Sequence, residues 1–164
     1  MRIGQGFDVH PFSPDPARPL VLGGVRIDGG RGLEGHSDAD CVAHALADAV
    51  LGAAGRGDLG AHFPDTDPAF AGADSVSLLG AVVALAAEGG LVAVNADCTI
   101  VAEEPRMAPH VGAMAENLGA ALGAPVSVKA TRAEGLGSIG RAEGIACMAV
   151  VLLEGSSVAR RDAP

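Results

Sequence analysis

At 164 residues the chain has the length of one domain, enough to bury about two-thirds of its unfolded surface without staples. A formal charge of −9 repels phosphate backbones, and with 2% aromatic residues and neither Trp nor Tyr there are too few rings to stack bases, which excludes nucleic acid as a partner. Three cysteines without a CxxC pair suggest neither a disulfide framework nor a thiolate zinc knuckle, so a reducing cytoplasm is expected, and no run reads as a leader or a membrane span.

In chain order, residues 2–10 read as a strand and 11–19 as a Pro-rich loop. Residues 20–27 read as a short apolar hairpin turning at Gly23-Gly24. Helical spacing of apolar residues predicts a helix over 38–54, with Ser37 and Asp40 resembling a capping box. Residues 57–68 form a long connection rich in turn formers, a candidate for function because compact domains seldom spend so much chain irregularly. A second helix over 75–88 ends at Gly89-Gly90, a strand covers 91–102, and a third helix covers 105–122. Strands over 126–130 and 145–153 flank a glycine-rich turn at 135–140. One domain over 1–154 is expected, with 155–164 a frayed tail. Strands and helices alternating in one short chain predict an α/β sandwich, an α+β arrangement of a four-stranded mixed sheet with helices on one face and a small hairpin.

Alternation along the first strand points Asp8 and His10 to one face, and His44 on the following helix could join them. Three such ligands and one exchangeable position are the usual composition of a catalytic zinc site. The competing reading makes Asp8 and His10 ordinary strand-end polar residues, with His44 bonded to Asp40 or Asp48 on its own helix. If His44 is a ligand, either carboxylate could orient its ring. Cys41 could rival Asp8 as a ligand or be an inert core thiol. His36 and Ser37 stand where helix dipole and free amides favour an anion, or Ser37 is only a cap. Asp58, Asp65 and Asp67 could accept bonds from substrate hydroxyls or belong to a solvated turn. The 102–107 segment follows a strand and could line a pocket. Lys129, Arg132 and Glu134 lie at a strand end where α/β sites tend to form. With the chain so acidic, an anionic substrate would need bound cations.

Five segments, taken together and in this order, resemble the 2-C-methyl-D-erythritol 2,4-cyclodiphosphate synthase family. They are Arg2-Ile3-Gly4-Gln5-Gly6-Phe7-Asp8-Val9-His10, His36-Ser37-Asp38-Ala39-Asp40 with His44-Ala45-Leu46, Gly57-Asp58-Leu59-Gly60, Phe63-Pro64-Asp65-Thr66-Asp67-Pro68, and Gly140-Arg141-Ala142-Glu143-Gly144. The resemblance implies a homotrimer with sites between subunits. It also implies closure of 4-diphosphocytidyl-2-C-methyl-D-erythritol 2-phosphate to the cyclodiphosphate with release of CMP, the substrate's own phosphate being the nucleophile. On the same analogy Asp8, His10 and His44 hold zinc, and Glu134 holds Mg²⁺ or Mn²⁺ on the diphosphate. His36 and Ser37 match phosphate contacts; Asp58, Leu59, Gly60 and the run Phe63, Pro64, Asp65, Thr66 and Asp67 match the methylerythritol site. Ala102, Glu103, Glu104, Pro105, Arg106, Met107 and Ala108 match the cytosine site, and Thr131, Arg132, Ala133, Glu134, Ser138 and Arg141 match further substrate-side positions. His36, Thr131 and Arg132 are the positions expected to act in catalysis.

The chain departs from the family pattern twice. Arg132 stands where the family commonly has a phosphate-contacting Thr, and a guanidinium does not copy a short hydroxyl. Ser138 stands where Phe is frequent, beside a trimer-axis cavity that in family members can hold an isoprenoid diphosphate. A zinc hydrolase of small phosphates and a non-catalytic metal- or isoprenoid-binding trimer are the alternatives.

Overall fold

The computed structural model describes residues 1–156. Six strands and five helices follow one another as β1 (Arg2–Pro11), β2 (Leu20–Leu22), β3 (Val25–Ile27), α1 (Cys41–Ala54), α2 (Leu59–His62), α3 (Ser75–Glu88), β4 (Leu91–Val101), α4 (Val111–Leu122), β5 (Val126–Thr131), α5 (Gly137–Gly140) and β6 (Gly144–Gly155). The main sheet has the order β1-β6-β4-β5, antiparallel except for the β4–β5 pair, and β2–β3 form a separate hairpin. The expected mixed four-stranded sheet and small hairpin are both present.

Along β1 the alternation is as expected: Gly4, Gly6, Asp8 and His10 turn toward the helices, while Ile3, Phe7 and Val9 are exposed on the other face. Gly4 and Gly6 are required by how closely α1 lies on β1. A Cβ at Gly4 would sit 1.8 Å from the carbonyl oxygen of Ala49, so backbone meets backbone there. α1 answers with small residues, Ala43, Ala45, Ala47, Ala49 and Ala53, all buried. With α1 against β1 and β6, α3 beside it and α4 over β5, the helical layer seals a core containing Ile100, Met114, Leu118, Ile145, Val151 and Leu153.

Several boundaries differ from the sequence expectation. The N-cap of α1 is Asp40 rather than Ser37, because the Asp40 carboxylate accepts from the amides of Val42 (3.0 Å) and Ala43 (3.1 Å) and also from Gly23 (2.8 Å) and Gly24 (2.7 Å). One buried carboxylate thus ties the hairpin turn to the helix start, and no local pattern announces the long-range half of that. The helix expected from residue 105 begins at Val111, after a turn in which the His110 amide donates to the Met107 carbonyl. The connection over 57–68 contains the helical turn α2, capped by Asp58, and is followed by a 3₁₀ turn at Pro68–Phe70, capped by Asp67. The glycine-rich segment contains α5. The expected tail starts inside β6, where Gly155 pairs with Leu91 and the Ser156 amide donates to Gly90; the rest of 155–164 lies outside the described residues.

Candidate active site

Asp8, His10 and His44 converge. Asp8 Oδ2 lies 3.0 Å from His10 Nε2 and 3.1 Å from His44 Nδ1, and the two imidazole nitrogens are 3.3 Å apart. Ligand atoms on a tetrahedral zinc with bonds of about 2.0–2.1 Å lie about 3.3 Å from one another, so the triangle has close to the size the ion demands.

The outer nitrogens fix the tautomers that such a site needs. His10 Nδ1–H donates to the Glu34 carbonyl at 2.6 Å, leaving the Nε2 lone pair facing the triangle. His44 Nε2–H donates to Ser75 Oγ at 2.8 Å, with Ser37 Oγ at 3.1 Å, and the Ser75 hydroxyl donates to Asp38. His44 Nδ1 is thereby the lone-pair nitrogen. The expected orienting partners, Asp40 and Asp48, do not serve His44: Asp40 is consumed by four amides, and Asp48 accepts from the Leu59 amide at 2.7 Å. Ser75, the first residue of α3, takes their place from across the fold, and its sequence context carries no signal of it. Arg18, also unannounced, holds the intervening segment by donating to the carbonyls of Gly35 (2.9 Å) and Ser37 (2.5 Å).

The electrostatics follow from this packing. Burial pushes the Asp8 carboxyl up, but without metal, when the nitrogens facing it carry protons in place of the ion, hydrogen bonds from His10 and His44 outweigh it and hold Asp8 well below the usual carboxylate range. Burial pushes His10 down; the bond and charge of Asp8 outweigh that, and His10 lies above its ordinary 6.5. Cys41 is fully buried and its thiol is pushed far up by that burial, so it stays a neutral core residue and does not compete with Asp8.

The triangle opens into a cavity of about 540 Å³ whose walls bring together His36, Ser37, Leu59, Gly60, Phe63, Pro64 and Asp65 with Gly35, Asp48, Phe70 and Leu78. Phe63 and Phe70 meet edge to face at 5.3 Å and stiffen its rim. His36 Nε2 contacts the Asp67 carbonyl at 3.0 Å, which fastens the loop to the segment beside the triangle. Asp58, Thr66 and Asp67 do not line this cavity, and the Asp58 and Asp67 carboxylates cap helical turns. Asp48 does line it, and burial raises its carboxyl above the ordinary value.

A second cavity, about 610 Å³, lies at the far edge of the sheet. Ala102, Glu103, Pro105, Arg106, Met107 and Ala108 face Lys129, Thr131 and Arg132 there, so cations surround an apolar floor. Glu104 borders a separate small cleft with Phe12 and Arg31. Ala133, Glu134, Ser138 and Arg141 do not line this cavity, and Arg141 is paired to Glu143 at 2.6 Å. Asp8, Cys147, Ile100 and Ala130 form one row across the sheet, which places the two cavities at the same end but roughly 14 Å apart, three strand spacings.

A sequence profile of the YgbB family matches residues 1–154. The chain is 59% identical to the 2-C-methyl-D-erythritol 2,4-cyclodiphosphate synthase of Symbiobacterium thermophilum, covering 94% of this chain and 99% of that one. It is 55% identical to the synthase of the same name from Bacillus velezensis, over 93% and 98%. Among solved structures it resembles the bifunctional IspDF of Campylobacter jejuni with a TM-score of 0.89 and 43% identity, covering 94% of this chain and only 42% of that longer one. It also resembles the CDP complex of Plasmodium falciparum IspF with a TM-score of 0.81 and 31% identity, over 95% and 97%.

Proposed function

The chain belongs to the YgbB family, and on that premise we propose that it is the synthase closing 4-diphosphocytidyl-2-C-methyl-D-erythritol 2-phosphate to 2-C-methyl-D-erythritol 2,4-cyclodiphosphate with release of CMP. The observation that carries the reading is the Asp8–His10–His44 triangle opening onto a cavity walled by the segments shared with that family. In reaction class this is a CMP-releasing phosphorus–oxygen lyase of non-mevalonate isoprenoid synthesis, working in the cytoplasm. No helix among the described residues is long and apolar enough to cross a membrane.

Asp8, His10 and His44 would hold Zn²⁺, and Glu134 would hold Mg²⁺ or Mn²⁺, cations that suit a site offering one protein carboxylate beside substrate phosphates. When bound, the two cations neutralise the phosphates and polarise the phosphorus under attack. The chain's own residues do the positioning, which in phosphoryl transfer supplies most of the acceleration. Ser37 and His36 stand beside the triangle to receive phosphate, the loop from Leu59 to Asp65 encloses the methylerythritol unit, and the second cavity receives the cytosine and ribose. Its apolar floor suits a planar base, and Arg106 and Lys129 the attached diphosphate.

A substrate spanning both cavities needs them adjacent, and in one chain they occupy opposite edges of the sheet. A homotrimer that sets one subunit's metal edge against its neighbour's β5 edge satisfies this. The sheet face away from the helices supports it: Ile3 (74% exposed), Phe7 (54%), Val9, Met148 and Val150 form an apolar surface of the kind that marks an interface.

Incubation with the cytidyl substrate and analysis of products tests the proposal. Cyclodiphosphate plus CMP is expected; a linear phosphate with inorganic phosphate would instead identify a zinc hydrolase.

A further inference from the structure

Arg132 is the residue that fits the proposed chemistry least well, and the structure gives it a partner. Arg132 Nε donates to Glu103 Oε2 at 2.9 Å, and the other oxygen of the same carboxylate accepts from the Gly135 amide at 3.3 Å. An exposed ion pair alone holds little. Here, though, one end is Glu103, whose side chain is 12% exposed and sits one residue past the last ladder bond, from the Ala102 amide to the Thr131 carbonyl at 3.1 Å.

Between the two contact points lies Glu134, at φ 52°, a left-handed conformation that a non-glycine residue keeps only when its surroundings impose it. Gly135 follows at φ 76°, and the Leu136 amide donates to the Ala133 carbonyl at 2.9 Å to close the turn. Glu103 reaches across from the end of β4 and grips this turn on both sides of Glu134. The Gly135 amide and the Arg132 guanidinium also pull the Glu103 carboxyl below its ordinary value, keeping it ionised as an acceptor.

We propose that Glu103 and Arg132 form a clasp that fixes the 131–136 turn and aims the Glu134 carboxylate, so that Arg132 is a positioning residue acting through Glu103 rather than a contact for phosphate. The aim toward a divalent cation rests on the functional reading above; the clasp itself does not. The Arg that replaces the usual Thr thereby keeps a role without copying a hydroxyl, because its Nε edge is engaged by a carboxylate instead of an anionic substrate.

The first test is hydrogen exchange at the Gly135 amide in ligand-free protein, for Arg132→Gln, Glu103→Ala and the double variant. Each single change is expected to speed exchange about tenfold, and the double variant no more than the larger single effect, since both remove one device. Unchanged exchange in Arg132→Gln overturns the clasp. The second test is binding of Mn²⁺ to zinc-loaded protein with CDP present, read by electron paramagnetic resonance. Each single variant is expected to lose about tenfold in Mn²⁺ affinity, as for other partners that orient metal ligands, while CDP affinity without Mn²⁺ stays within about twofold in Arg132→Gln. A tenfold loss of CDP affinity without Mn²⁺ in that variant, absent in Glu103→Ala, would make Arg132 a phosphate contact and overturn the proposal. If the unaltered protein binds no CDP, the functional reading fails while Gly135 exchange still decides the clasp.

Discussion

A Cβ added to Gly6 would lie 2.0 Å from the carbonyl oxygen of Ala45. Gly6 stands two residues before Asp8 on β1, and Ala45 follows His44 on α1, so this contact sets the spacing between the two elements that supply the metal triangle. Gly6→Ala must push α1 away from β1. It is expected to cost about 3 kcal/mol by overpacking, and to weaken zinc binding because His44 moves with the helix. Urea unfolding and a zinc competition titration check the two effects separately.

Ser75→Ala removes the acceptor of His44 Nε2–H and the donor to Asp38 while leaving Asp74 to cap α3. Zinc affinity is expected to fall about 10–100-fold, the usual effect of deleting a group that orients a metal-bound imidazole. Retention of wild-type affinity in a chelator competition assay would show that Ser37 alone suffices to orient the ring.

The pH dependence of the metal-free protein should oppose that of zinc binding. His10 is raised above 6.5 because the bond and charge of Asp8 favour its protonated form. Its contribution to stability is therefore fully present below pH 6.5 and is lost as pH rises through the raised value. Zinc must displace the same proton, so its affinity rises over that window. Chelator-treated protein is expected to unfold at lower urea at pH 8 than at pH 6, and zinc titration to tighten; Asp8→Asn should flatten the first trend.

Asp40→Ala strips the acceptor from the amides of Gly23, Gly24, Val42 and Ala43 at once. Loss of a helix cap and burial of unpaired amides together should cost about 2–4 kcal/mol. Asp40→Asn is expected to recover only part of this, because its NH₂ group faces an amide donor. Thermal melts of the three proteins give the order.

The parts of this molecule that sequence reading recovered are those with local periodicity or a fixed donor set. Alternation puts Asp8 and His10 on one face of β1, helical spacing places His44 within reach of them, and the three side chains do converge as a group that could hold a metal ion. What escaped was long-range. Ser75 reaches His44 from a helix 31 residues on, Arg18 braces the segment between the ligands, and Asp40 caps a helix while holding a hairpin turn. A serine, an arginine and an aspartate in those contexts look like any others, because their partners are set by tertiary packing. The start of α4 departs from the helical spacing for a related reason: apolar residues before Val111 belong to the wall of the second cavity and mimic the helical pattern.

The placement of the two cavities on the opposite edge strands β1 and β5 has a genetic consequence. If each working centre draws one half from each of two neighbouring subunits, loss-of-function alleles sort into two complementation groups. Alleles at Asp8, His10 or His44 form one group and alleles in the β5-side cavity the other. Two inactive chains, one from each group, would regain activity when co-assembled, since some interfaces pair two undamaged halves. Alleles within one group would not rescue each other.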